Sequence, residues 1–155
     1  MLCVSIPGRP ELCLSHLILD YNGTIALDGE LIPGVASRLE VLARELSILV
    51  ITADTHGTAA RTCAALPVRV LTFPGARVGE IKAQEAGKLQ GGTVCIGNGF
   101  NDVAMAAVCD LSVCVIGGEG CCGALAAQCD IVVTSIIDAL DLLLKPDRLR
   151  ATLRT

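Results

Sequence analysis

The pentapeptide Asp20-Tyr21-Asn22-Gly23-Thr24 constrains this chain most, because it places a carboxylate directly after the apolar run Leu17-Ile18-Leu19. Short runs of this kind are typical of strands that are buried on both faces of a parallel sheet. In open α/β sheets, ligands bind outside the carboxyl ends of such strands. The pentapeptide therefore predicts a functional carboxylate at a strand end.

A second strand end of the same kind follows the apolar run 93–96. There a glycine-rich turn, Gly97-Asn98-Gly99-Phe100-Asn101-Asp102, closes on an acid that can start a helix. Since the carboxyl ends of parallel strands meet at one edge of a sheet, we expect Asp20 and Asp102 to share one site.

Short apolar runs alternate with helix-like segments along the chain, and the runs are 17–19, 48–51, 68–71, 93–96, 111–116 and 131–133. This alternation predicts an α/β fold with a doubly wound, mostly parallel, Rossmann-like sheet. Helices are predicted at 33–45, 56–65 with Thr55 as its cap, 78–89, 101–108, 120–128, 136–144 with Ser135 as its cap, and from Pro146 onward. Two β-hairpins are predicted as well, one pairing 2–6 with 11–15 and one pairing 24–27 with 30–32.

The length of 155 residues fits one domain that has its own core. We expect a core at 16–145, an N-terminal hairpin at 1–15 and a short C-terminal helix at 146–155. Aliphatic and cysteine side chains must build this core, because apolar residues make up 52% of the chain but aromatic residues only 2%.

Charge and hydropathy argue against several classes of partner. A net charge of −4 offers no attraction to nucleic acid or to an anionic membrane, and few aromatic side chains are present to stack on bases. No apolar run approaches the ~20 residues that a membrane-spanning helix needs, and the N-terminus lacks the basic region of a secretory signal. We therefore expect a cytoplasmic protein with no nucleic-acid or membrane partner.

The nine cysteines are interpreted as free side chains that mostly pack in the core. Their number is odd, no Cys-x-x-Cys pair occurs, and most lie among aliphatic residues. Cys121 and Cys122, with Cys129 one helix length later, form a cluster. Structural packing is the favoured interpretation of this cluster, and thiol or metal chemistry is the alternative.

The order and spacing of the strand ends resemble the haloacid dehalogenase superfamily, and most closely the phosphorylation domain of P-type ATPases and their soluble relatives. The first pentapeptide resembles the motif DxDGT or DKTGT, and Thr52-Ala53-Asp54 resembles the motif TGD. Lys82 is the simplest candidate for the helical lysine of the third motif, and 97–102 resembles GDGxND. The similarity covers residues 16–134.

The resemblance implies a Mg²⁺-dependent site in which Asp20 attacks a phosphoryl group and becomes an aspartyl phosphate. The implied catalytic residues are Asp20, Asn22, Thr52 and Lys82. The implied metal ligands are the Asp20 carboxylate, the backbone carbonyl of Asn22, Asn98 and Asp102. Phosphate oxygens would be bound by Thr52, Lys82, Asn101 and the backbone near Gly23.

Each of these residues also has a structural interpretation. Thr52 could cap a helix, Asn101 and Asp102 could begin one, and Lys82 could be solvated. Lys88, a turn and a half later, competes with Lys82 for the lysine role. Asp54 has a structural interpretation too, and Asp110 and Asp130 are interpreted as structural because they precede apolar runs.

Two amides depart from the family pattern. Asn22 stands where phosphatases carry an acid/base Asp, and Asn98 stands where the pattern carries a metal-binding Asp. General acid–base catalysis is typically worth ~10²–10⁴-fold, so turnover should be slow and metal affinity should fall. The ATPases also lack an acid at the first of these positions, so phosphorylation of Asp20 is compatible with Asn22.

The intervals between the motifs leave no room for a cap domain, since 27 residues separate Thr24 from Thr52 and 29 separate Thr52 from Lys82. Either the phosphorylated substrate is macromolecular, or a neighbouring subunit of a homo-oligomer completes the pocket. The leading hypothesis is a Mg²⁺-dependent phosphohydrolase of low intrinsic rate. The rival is a non-catalytic phosphate- or phosphoprotein-binding module of the same fold.

Overall fold

The computed structural model describes residues 1–54, 57–75 and 77–155. The strands are β1 (Leu2–Val4), β2 (Leu12–Leu19), β3 (Ala26–Leu27), β4 (Glu30–Leu31), β5 (Ser47–Thr52), β6 (Arg69–Thr72), β7 (Gly92–Gly97), β8 (Leu111–Val115) and β9 (Ile131–Val133). The helices are α1 (Val35–Leu42), α2 (Ala59–Thr62), α3 (Val78–Gly87), α4 (Val103–Ala106), α5 (Gly123–Gln128), α6 (Ile136–Leu144) and α7 (Pro146–Leu153), and a 3₁₀ turn, Phe100–Asp102, precedes α4.

The main sheet has the strand order β6-β5-β2-β7-β8-β9, and all five of these pairings are parallel. The chain builds outward from β2 to β5 and β6, then crosses back to β7 on the other side of β2. The strand order therefore reverses between β2 and β7, which is where open α/β sheets form their ligand crevice. Leu19 at the end of β2 pairs with both Val50 and Ile96, so three strands end at the same edge of the sheet, with β5 extending two residues and β7 one residue further.

Alternate residues of each central strand face opposite layers. Leu17 and Leu19 pack in the larger core, which also contains buried residues of α1, α6 and α7, whereas Ile18 packs in the smaller core with residues of α3, α4 and α5. Burial on both faces explains why these strands read as continuous apolar runs. The predicted doubly wound α/β fold is confirmed.

Helix boundaries follow local capping. The Ser135 Oγ accepts a 3.1 Å hydrogen bond from the Ile137 N–H and begins α6 at the predicted residue. The predicted helix 56–65 is shorter, because the Asp54 carboxylate accepts hydrogen bonds from the N–H groups of Thr58 and Ala59 and starts α2 there. The predicted cap Thr55 lies outside the described residues.

Both predicted hairpins are present. β1 pairs antiparallel with the first half of β2, and β3 pairs with β4 beside the end of β2. In the first hairpin, Cys3 lies directly opposite Cys13, and a disulfide joins them. The expectation that the cysteines are free is therefore wrong for this pair, although the other seven are free thiols.

None of the helices in the described ranges combines the length and the apolarity that crossing a membrane requires.

Candidate active site

Asp20 lies at the switch point, immediately after β2. Its N–H still continues the sheet by donating a 3.0 Å hydrogen bond to the carbonyl of Ile96, but the chain then turns sharply. The Tyr21 carbonyl accepts hydrogen bonds from three successive N–H groups, those of Thr24, Ile25 and Ala26. This tight turn leaves the Asp20 carboxylate at the edge of the sheet, where its residue is only 5% exposed.

Lys82 lies beneath this carboxylate. Helix α3 carries it into the interior, where its side chain is fully buried and its ammonium donates hydrogen bonds to Oδ1 of Asp20 and, at 2.7 Å, to Oδ1 of Asp102. Two carboxylates thus share one ammonium in a buried cluster. The competing candidate, Lys88, is exposed at the end of α3 and pairs with Glu85, so it lies outside this cluster.

The charges of this cluster determine its protonation. Burial, followed by the charge of Asp102, raises the pKa of Asp20 to about 7, although Lys82 acts in the opposite direction. Burial alone would lower the pKa of Lys82, but the two carboxylates outweigh it and the pKa is raised. Lys82 therefore stays a cation, and ionisation of Asp20 adds a negative charge that the cluster does not compensate.

Both oxygens of Asp102 have partners. Oδ1 accepts from Lys82, and Oδ2 accepts from the backbone N–H groups of Asn98 and Gly99 at 3.1 and 3.0 Å. A Cβ on Gly97 would lie 2.4 Å from this carboxylate, so only glycine fits there. Asp102 holds the glycine-rich turn to the lysine.

The Thr24 hydroxyl joins the two motifs on the pocket side. Its Oγ1 lies 3.3 Å from Oδ2 of Asp20 and 3.1 Å from Oδ1 of Asn98. A hydroxyl has one proton, so it donates to one of these oxygens at a time. The Oδ2 atom of Asp20 and the Oδ1 atom of Asn98 are thus held close together, so that one cation or one proton can bind to both.

Thr52 ends β5 at the same edge. Its Oγ1 accepts a 2.9 Å hydrogen bond from the Asp54 N–H, which leaves its own proton free for donation. Asp54 itself caps α2, which agrees with its structural interpretation. Asp110 and Asp130 accept from the N–H groups of Thr93 and Ser112, near the starts of β7 and β8, at the far end of the sheet.

These side chains enclose a pocket of 210 Å³, lined by Asp20, Asn22, Thr52, Ala53, Asn98, Gly99, Asn101 and Glu119. Five of the sequence-predicted residues therefore face one space. Lys82 and Asp102 do not line it and lie below it. Gly23 also stands at the site, with a positive φ of 75°, and a Cβ on it would lie 2.4 Å from Nδ2 of Asn98.

No family model matches the chain, but two proteins of Methanocaldococcus jannaschii do. Both carry the name of uncharacterized proteins. One is 51% identical over 61 residues, which are 39% of this chain and 66% of that protein, so the chain spans just under two thirds of it. The other is 46% identical over 39 residues, which are 25% of this chain and 89% of that protein. The chain belongs to the same family as the second of these proteins.

Solved structures match over most of the chain. A Vibrio cholerae protein proposed to be 3-deoxy-D-manno-octulosonate 8-phosphate phosphatase has a TM-score of 0.71 at 17% identity, over 100% of this chain and 99% of its own. The Moraxella catarrhalis phosphatase of that name, determined with magnesium, phosphate and KDO, has a TM-score of 0.68 at 17% identity, over 91% and 94%. The chain has the haloacid dehalogenase (HAD) fold. A zinc-transporting PIB-type ATPase contains this HAD fold as well, with a TM-score of 0.63 and 22% identity over 79% of this chain and 20% of its own.

The oxygen ligands of this site fit a hard divalent cation. Oxygens of Asp20 and Asn98 converge at Thr24, and ionised Asp20 adds to the buried cluster a negative charge that a cation would balance. The side-chain oxygen of Asn22 is buried and has no hydrogen-bond partner among the described residues. Within the same residues no three His, Cys, Asp or Glu side chains form a metal cluster, so an amide or backbone oxygen must complete this set.

Sequence reasoning missed one residue of the pocket, Glu119. It lies in the loop 117–120 after β8, the strand beside β7, and so belongs to a fourth strand end at the same edge. The signal was available, because an acid stands within the turn sequence Gly117-Gly118-Glu119-Gly120 directly after an apolar run.

Proposed function

We propose that this protein is a Mg²⁺-dependent phosphohydrolase of low intrinsic rate that acts through an aspartyl phosphate on Asp20. The placement of the Asp20 carboxylate carries the proposal. It is held from below by Lys82 and faces a 210 Å³ pocket whose other walls provide hydroxyl and amide groups. The HAD phosphatase from Moraxella catarrhalis, crystallised with magnesium and phosphate, supports the same chemistry by its fold.

The two oxygens of Asp20 have different tasks. Oδ1 is bound to the Lys82 ammonium, so Oδ2, which faces Thr24, is the atom that attacks phosphorus. In the first step the new Oδ2–P bond forms as the bond from phosphorus to the leaving oxygen breaks, and that oxygen takes a proton from solvent. In the second step water attacks phosphorus, the Oδ2–P bond breaks, and phosphate is released as the carboxylate re-forms.

The remaining groups bind the phosphoryl oxygens. The Thr52 hydroxyl donates to none of the described residues, and the Asn101 amide lines the same pocket. Lys82 acts on the same charge from below, since its ammonium holds the nucleophile rather than lining the pocket. Fixed donors of this kind stabilise the charge that develops in the transition state.

Mg²⁺, when bound, would neutralise the charge of the phosphate as it approaches the carboxylate. The Asp20 carboxylate, the Asn22 backbone carbonyl and the Asn98 side-chain oxygen would hold it. Asp102 was also expected to be a ligand from the sequence, but its two oxygens already accept hydrogen bonds from Lys82 and the turn. This arrangement favours a positioning role for Asp102.

Asn22 explains why the intrinsic rate would be low. An amide cannot give a proton to the leaving group or take one from water, and this exchange is typically worth ~10²–10⁴-fold. The same two amides, Asn22 and Asn98, support the second candidate function, a module that binds phosphate or a phosphoprotein without turnover. The two candidates differ in whether phosphate is released.

Release of inorganic phosphate from a panel of phosphomonoesters and acetyl phosphate, with and without Mg²⁺, tests the proposal. The Asp20→Asn variant should lose all Mg²⁺-dependent release. Asp28→Asn is the matched control, because Asp28 is an exposed carboxylate in the neighbouring hairpin turn, and it should retain the full rate. Binding of phosphate without release, in a folded protein, would favour the binding module.

The substrate and its setting follow as proposals. No cap domain covers the pocket in the part of the chain that the structure describes, so we propose that the phosphate belongs to a macromolecular substrate or that a second copy of the chain completes the pocket. A cytoplasmic location without nucleic-acid or membrane partners remains the proposal that composition supports.

A further inference from the structure

We infer that Glu119 supplies the carboxylate that the amide at position 98 lacks, and that it is a ligand of the divalent cation at this site. The inference rests on the proposed function, because it concerns the cation which that function requires. It assigns a role to a loop after β8 that none of the four motifs contains.

The loop 117–120 is fastened to the site rather than merely near it. The Gly120 N–H donates a 2.9 Å hydrogen bond to the Gly117 carbonyl and closes the turn. The Asn98 side chain donates to the Gly120 carbonyl at 3.3 Å, and the Cys122 N–H donates to the Asn98 carbonyl at 2.8 Å. Asn98 therefore fixes the loop that carries Glu119.

The glutamate carboxylate lies beside residues that are expected to bind the metal. A Cβ built on Gly23 would lie 2.7 Å from Oε2 of Glu119 and 2.4 Å from Nδ2 of Asn98, so both side chains converge above residue 23. The carbonyl of Asn22 belongs to the peptide that precedes this residue. Glu119, Asn98 and Asn22 thus line the same pocket, close to the peptide that joins residues 22 and 23.

Glu119 is also the carboxylate that is free to bind. Among the described residues it makes no hydrogen bond and no ion pair within the usual distances, whereas both oxygens of Asp102 are engaged. A divalent cation held by Asp20 and Glu119 would be balanced by two negative charges, and Asn98 would add a neutral oxygen. Mg²⁺ prefers such a set of hard oxygen ligands with remaining positions for water and phosphate.

A surface glutamate that is merely solvated would make no difference to metal binding. Calorimetric titration of the full chain with Mg²⁺ and with Mn²⁺, in the absence of substrate, distinguishes a ligand role of Glu119 from a merely solvated side chain. We expect Glu119→Gln to weaken binding about 10-fold or more, in line with the loss of a ligand-shell carboxylate. Glu40→Gln, at an exposed glutamate on α1, is the matched control and should bind as the wild type does.

A compensating variant makes the test specific. Asn98→Asp restores an acid next to Glu119, so Asn98→Asp in the Glu119→Gln background should recover the lost affinity. Thermal unfolding in a chelator should show that Glu119→Gln folds as well as the wild type. Equal affinity of Glu119→Gln and wild type would overturn the inference and leave the proposed function intact. No cation binding by the wild type would contradict both.

Discussion

The Lys82 ammonium donates a 2.7 Å hydrogen bond to Oδ1 of Asp102, and neither side chain exposes more than 1% of its surface. This pair fastens α3 to the turn after β7, and the second bond of the ammonium fastens both to the end of β2. Three segments distant in sequence are therefore held at one point. Because the bonds are charge-assisted and buried, their geometry is rigid, and the Asp20 carboxylate is oriented before any ligand binds.

Removing the ammonium that Asp20 and Asp102 share should lower the free energy of unfolding. Lys82→Met leaves two carboxylates buried without their cation, and breaking a buried ion pair in this way typically costs about 3–5 kcal/mol. Urea denaturation at neutral pH measures the free energy of unfolding. Lys88→Met, at the exposed lysine on the same helix, is the control and should change it by less than ~0.5 kcal/mol. Similar values for the two variants would show that the buried cluster has been misassigned.

The stability of the protein should depend on the ionisation of Asp20. Its pKa is raised from 3.8 to about 7, chiefly by burial, so its contribution to folding is fully present below pH 3.8 and is lost as the pH rises through 7. The side chain introduced by Asp20→Asn does not ionise, so the stability of this variant lacks this pH dependence. In a chelator, the wild type should lose stability relative to Asp20→Asn across this pH range, as measured by urea denaturation.

Mg²⁺ should reverse this loss above pH 7, because it binds the ionised carboxylate of the native state. Asp20→Asn should show little stabilisation by the ion. A difference between wild type and variant that stays constant from pH 3.8 to 7 would contradict the assigned pKa.

Restoring an acid in the first motif should accelerate turnover. Asn22→Asp introduces a group that can transfer a proton to the leaving oxygen, and we expect phosphate release to rise by about 10²-fold. Asn22→Ala removes the same amide without adding an acid and should give no increase. Steady-state release of phosphate from acetyl phosphate measures both. An unchanged or lower rate in a folded Asn22→Asp protein would be inconsistent with an active hydrolytic site.

The contact between Arg38 on α1 and Asp141 on α6 gives a prediction of pH-dependent stability that does not involve the active site. Hydrogen bonds from Arg38, and then from Lys145, lower the pKa of Asp141 from 3.8 to about 2. Such a group stabilises the fold above pH 3.8, and this contribution disappears as the pH falls through 2.

Asp141→Asn should therefore reduce stability at neutral pH, by on the order of 1 kcal/mol because its partners are partly solvated, and this effect should become much smaller as the pH falls to 2. Denaturation curves at the two pH values provide the comparison. A loss of the same size at both would mean that packing, rather than charge, is responsible.

Much of the fold was predictable because its signals are local. Buried strands such as 93–96 read as apolar runs, and the Ser135 cap marks the start of α6 to the residue. The candidate site was predictable as far as strand ends define it. Asp20, Thr52 and Asn98 all follow apolar runs, and the parallel sheet brings them to one edge.

What could not be predicted depends on three-dimensional packing. The sequence does not show that Asp102 turns both oxygens away from the pocket, because its partners come from α3 and from the backbone of the turn. The register of the first hairpin decides that Cys3 faces Cys13. Glu119 reaches the site only because Asn98 holds its loop there.

The most direct test of the account is whether Asp20 becomes phosphorylated. The protein is incubated with acetyl phosphate and Mg²⁺, quenched in acid and measured by intact mass spectrometry, while phosphate release is followed in the same samples. The account predicts an adduct of one phosphoryl group, or Mg²⁺-dependent release, that is present in the wild type and absent from Asp20→Asn. Neither adduct nor release in a folded wild-type protein would contradict it.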